Sequence, residues 1–75
     1  MSYEVRFSSS ATHEQVNAIM ADMYFDGLPD PTMTAEETYT WYGDGAFGVD
    51  VYDMNGVRDE LNRLGITYTD DGPEI

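Results

Sequence analysis

Two runs of alternating polarity meet at Gly43-Asp44-Gly45, and no other stretch of the chain constrains its fold as much. Before the glycines, Tyr39 and Trp41 alternate with Thr38, Thr40 and Tyr42; after them, Phe47, Val49 and Val51 alternate with Gly48, Asp50 and Tyr52. Alternation places every second side chain on one face of a strand, and a Gly-rich turn reverses the chain tightly enough to pair the two runs. The pattern predicts a β-hairpin with one apolar face.

The flanking sequence supplies partners for that face. Tyr3, Val5 and Phe7 alternate with Glu4 and Arg6, the mark of a half-buried strand. Thr12-His13-Glu14-Gln15 reads as a capping box, followed by Val16, Ile19, Met20 and Met23 on one helical face, with Asp26-Gly27 as a stop. Leu28-Pro29-Asp30-Pro31-Thr32 carries two prolines and reads as a connection. After the hairpin, Asp53 or Asn55 caps a second helix with Met54, Val57, Leu61 and Leu64 inward, Asp59 and Arg63 paired outside, and Gly65 as its end. Ile66 and Tyr68 then alternate with Thr67 and Thr69 before an acidic C-terminal tail over residues 69–75.

The order is β-α-β-β-α-β. With right-handed crossovers it predicts an α+β, ferredoxin-like sandwich: a four-stranded antiparallel sheet with two helices on one face, all in one domain over residues 1–75. The opposite face would present Glu4, Arg6, Thr38, Thr40, Tyr42, Asp50, Tyr52, Thr67 and Thr69. That fold serves many functions and selects none.

Composition narrows the function. Fifteen Asp and Glu stand against three Arg and no Lys, a net charge of −12. Residues 1–37 and 38–75 each carry −6, so the acid is spread over the whole surface. Direct nucleic-acid binding needs a positive footprint and is excluded on charge. No apolar run approaches the roughly 20 residues of a membrane span. Met1-Ser2-Tyr3-Glu4 opens a polar segment, so no secretion signal is expected, and the absence of Cys fits a cytoplasmic setting. At 41% hydrophobic and 13% aromatic the chain has the material for a packed core.

Catalytic, cofactor and metal sites are not expected. His13 is the lone histidine and falls on the first turn of a helix; Ser8, Ser9 and Ser10 lie near it, but no orienting third group or dry pocket accompanies them. Glu36/Glu37, Asp59/Glu60 and Asp70/Asp71 are sequence neighbours in expected loops or on exposed faces and read as solvated charge, not as an acid/base pair set apart by burial. The stretch from Asp50 to Asn55 lacks the glycine and distal Glu of a calcium loop.

The charge itself therefore asks for an explanation, since like charges this dense destabilise a compact state. Three readings remain: occupation of a nucleic-acid site on a basic protein, adaptation to molar salt, and an antitoxin-like or subunit-type interaction module with a basic partner. For the first, helical acids three or four apart sit about 5–6 Å from one another, a workable spacing against a phosphate-binding groove. Asp22 and Asp26 on the first helix, Asp59 and Glu60 on the second, Glu36 and Glu37 before the hairpin and Asp44 at its tip form the candidate rim. Tyr24, Tyr42 and Tyr52 add contact area.

In size, charge, lack of Cys and order of elements, the whole chain resembles the small phage-encoded anti-CRISPR proteins and, more broadly, phage DNA-mimic inhibitors. The resemblance implies a non-enzymatic inhibitor in the host cytoplasm that binds a DNA-binding CRISPR effector subunit on surfaces otherwise open to target DNA.

Overall fold

A computed structural model of the chain describes residues 3–24 and 35–73. Strand β1 spans Glu4–Ser9, helix α1 His13–Met23, strand β2 Tyr39–Gly43, strand β3 Ala46–Asp50, helix α2 Met54–Arg63 and strand β4 Tyr68–Asp70. Two short 3-10 turns, Ala35–Thr38 and Val51–Asp53, lead into β2 and α2. The four strands form one sheet in the order β2-β3-β1-β4, with every neighbouring pair antiparallel. The protein is thus an α+β domain with a four-stranded antiparallel sheet and two helices.

Register carries the alternation straight into the core. Phe7 lies opposite Phe47 and Val5 opposite Val49, while Tyr39 and Trp41 meet Val49 and Phe47 from the other side. The Phe7 and Phe47 rings stack at 5.1 Å with 4° between their planes, an arrangement that adds to the apolar area they bury. Val16, Ile19 and Met20 of α1 and Met54, Val57 and Leu61 of α2 close over these side chains in a single buried cluster.

Local chemistry sets where the helices begin and end. Gln15 donates its backbone N–H to the Thr12 hydroxyl at 3.1 Å, and Thr12 donates its own to the Gln15 amide oxygen at 2.9 Å, so the expected capping box is formed. Helix α1 ends at Met23 with Tyr24 as its cap, short of the expected stop. Asp26-Gly27 and the Leu28–Thr32 connection lie outside the described residues. At the end of α2, Gly65 adopts φ 71°, Ile66 donates to the Leu61 carbonyl and Gly65 to that of Asn62. That is the Schellman closure, and it leaves Leu64 half-exposed at the cap where the periodicity had placed it inward.

The hairpin turn passes through three consecutive positive φ values at Gly43, Asp44 and Gly45. Gly45 also lies against β1: Ser9 donates both its backbone N–H and its hydroxyl to the Gly45 carbonyl, and a methyl at Gly45 would strike the Ser9 carbonyl. Glycine is required there twice over.

Three expectations about strand ends need correction. The alternation through Val51 and Tyr52 does not continue β3, because the Asp50 carboxylate accepts the Tyr52 N–H at 2.9 Å and folds the chain into a 3-10 turn. Tyr3 precedes β1 and is exposed, and Ile66 precedes β4. The stretch read as an acidic tail starts inside β4. Asp70 pairs there with Phe7, and Asp71 and Arg6 are joined by two bonds, Asp71 N–H to the Arg6 carbonyl and Arg6 N–H to the Asp71 carboxylate.

Candidate protein-interaction surface

Each of the three arginines closes onto a carboxylate of the domain itself. Arg6 donates from Nε to Glu4 at 3.2 Å on the open sheet face, with its guanidinium 4.4 Å above the Tyr42 ring. Arg58 grips Asp70 through two bonds of 2.9 and 2.6 Å between α2 and β4. Arg63 donates to both oxygens of Glu60 at 2.6 and 3.2 Å and stands 3.9 Å from Asp22 across the helix pair. The expected outer pair of Asp59 with Arg63 is not formed; Glu60, one residue nearer in the chain, takes the guanidinium instead.

What this leaves outside is carboxylate. Glu14, Glu36, Asp44 and Asp59 are exposed and have no ion-pair partner among the described residues. Glu36 and Glu37 sit in the turn ahead of β2 and Asp44 just beyond its end, so acids bracket that strand at both ends. Asp59 lies on the outer side of α2. Asp22 and Glu60 face one another across the two helices, at the rim of a groove of about 410 Å³ floored by Ala18, Ile19 and Leu64. The neighbouring Glu60 carboxylate pushes the Asp22 carboxyl up, while the Arg63 bond holds that of Glu60 down. Asp26 lies outside the described residues.

The three tyrosines chosen from sequence divide by what holds them. Tyr52 is 84% exposed and available for contact. Tyr42 is half-exposed, but its hydroxyl donates to Glu4 at 2.7 and 2.8 Å and its ring lies under Arg6. Gly48 makes room for that network, since a methyl there would strike the Glu4 side chain. Tyr24 turns inward and donates its hydroxyl to Asp53 at 2.8 Å. Burial and that carboxylate push its phenol up to about 12. The same bond takes the Asp53 side chain away from the first turn of α2, where it makes no capping bond.

Sequence reasoning missed the aromatic stack beside β2. His13, exposed on the first turn of α1, lies parallel to Trp41 at 4.9 Å and edge-on to Tyr39 at 5.9 Å. The inward alternation of Tyr39 and Trp41 was the only signal for it. Among the described residues no group of three His, Asp or Glu side chains is placed to hold a metal ion, and no helix is long and apolar enough to cross a membrane.

Comparison with protein-family models, with curated proteins and with solved structures finds no significant match for this chain.

Proposed function

We propose that the domain is a non-enzymatic inhibitor that occupies a basic, nucleic-acid-handling protein surface and displaces DNA from it, in the manner of the small phage anti-CRISPR and DNA-mimic inhibitors. One observation carries this reading. All three arginines close on carboxylates of the domain itself, so Glu14, Glu36, Asp44 and Asp59 are left exposed with no ion-pair partner among the described residues, on a scaffold stiffened by a buried core. A cationic receptor gains from steering toward such a shell and from pairing with it at contact. The site would lie in the host cytoplasm, on an effector subunit that otherwise holds target DNA.

Taken from the other edge, the strand order is β4-β1-β3-β2, with β3 between β1 and β2 and β1 between β3 and β4. Two interlocked split β-α-β units support placing the domain in the ferredoxin-like class.

The test is a mobility-shift competition against purified CRISPR effector complexes, followed by a salt titration of whatever complex forms. DNA should be released as the protein is added, and the complex should weaken steeply as salt rises. DNA binding that survives a saturating excess on every effector tried would remove the reading.

A further inference from the structure

The two edges of the sheet are finished differently. Strand β4 has three residues, includes Asp70, and is tied to α2 through Arg58. Short length and charge are the usual means by which an edge is closed to other strands. Strand β2 has five residues, Tyr39-Thr40-Trp41-Tyr42-Gly43, with neither a charge nor a proline. Its inner side pairs with β3, and its outer side meets no other strand among the described residues. Among the described residues, what blunts this edge is the irregularity in pairing between Trp41 and Gly43, near the end of the strand. Trp41 is half-buried beneath His13 and Tyr42 half-exposed, so aromatic surface borders the edge.

Charge decides which strand can add there. Glu36 and Glu37 stand at one end of β2 and Asp44 at the other. A second copy paired antiparallel about Trp41 would set Glu37 near Asp44 of its neighbour, and would do so twice by symmetry. A parallel second copy would set Glu36 and Glu37 beside themselves. Like charges directly across a strand pair are destabilising. A strand with arginine or lysine at its ends meets attraction at both ends instead, together with an aromatic border suited to guanidinium stacking.

We infer that the outer edge of β2 is a strand-addition site that takes an extended, cationic segment of the partner protein. This rests on the reading that the partner is basic, and it names the contact: backbone hydrogen bonds to β2, with flanking cations on Glu36, Glu37 and Asp44.

The probe is a short capped peptide of alternating valine and threonine with an arginine at each end. The control is the same peptide N-methylated at alternate residues, which keeps the charge and removes backbone donors. Binding is followed by the fluorescence of Trp41, the sole tryptophan, and by amide exchange. The parent peptide should bind saturably and slow exchange within Tyr39–Gly43. N-methylation should weaken binding about tenfold or more, the scale of a few lost backbone hydrogen bonds. The combined change Glu36→Gln, Glu37→Gln and Asp44→Asn should also weaken it. Equal binding of the N-methylated peptide, protection appearing elsewhere, or a concentration-dependent dimer without peptide would each overturn the inference. DNA release from an effector without protection of β2 would likewise overturn it while leaving the acidic-surface reading intact. Peptide pairing without DNA release would support it and remove the nucleic-acid reading.

Discussion

The Arg58–Asp70 pair and the Asp22–Glu60–Arg63 group both set an arginine against acid, yet they answer to different physics. Asp70 is 8% exposed at its side chain, receives two bonds from one guanidinium and a third from the Gly72 N–H, and its carboxyl is held below the usual range, first by Arg58. Here one buried acid meets one cation, and the pair fastens β4 to α2. At the helix rim, Asp22 and Arg63 are each more than 60% exposed, and two carboxylates share a single cation. The Asp22 carboxyl is pushed up, mainly by Glu60. Inside the fold charge is matched and holds elements together; at the surface it is left in excess, and the fold bears the cost.

Removing the buried partner should have the largest effect. Asp70→Asn leaves Arg58 facing a neutral amide in a mostly covered site and should cost about 2–3 kcal/mol of stability in urea denaturation, below the full penalty for a buried pair because Arg58 keeps some water. The pH dependence follows from the direction of the shift. With its folded value below the unfolded 3.8, Asp70 contributes stability that is whole above about pH 5 and is lost as pH falls through the unfolded value toward the folded one. Asp70→Asn should remove that part of the acid limb, and an unchanged limb would mean that the pair is not coupled to folding.

Arg63→Gln should destabilise less, because the pair is solvated, and the loss should shrink in molar salt, where the Debye length is about 3 Å. Melting curves at low and high salt measure it directly. Asp22→Asn should have the smallest effect and the opposite sign. The raised carboxyl is relieved of its charge by protonation, so the parent protein gains stability as pH falls through that raised value. The variant should therefore be slightly more stable than the parent at neutral pH, with the difference closing in acid. A destabilised Asp22→Asn protein would show that the Arg63 attraction outweighs the Glu60 repulsion.

Features built from neighbours in the chain were legible in the sequence. Thr12 and Gln15 form their box, Val16, Ile19 and Met20 line one face, and the glycines turn the hairpin, because each depends on residues within a few positions of one another. Where a side chain competes for the backbone, periodicity misleads. Asp50 ends β3 by capping Tyr52 even though Val51 keeps the alternation. Partnerships across the fold could not be read at all. Asp70 looked like part of a solvated tail until β4 carried it to Arg58, and Tyr42 looked free until β1 brought Glu4 and Arg6 beside it. Of the residues proposed for contact, Glu36, Glu37, Asp44, Asp59 and Tyr52 are exposed, whereas Tyr24 and Tyr42 spend their hydroxyls inside the domain.

The most direct test compares a surface change with an interior one in the same DNA-displacement assay on an effector that binds the protein. Glu36→Lys, Glu37→Lys, Asp44→Lys and Asp59→Lys together should leave a cooperative melt and weaken displacement by about a hundredfold, the sum of several modest exposed pairs. Asp70→Asn, assayed below its melting temperature, should displace DNA as the parent does. Undiminished displacement by the four-lysine protein would contradict the claim that the outer carboxylates are what the partner binds.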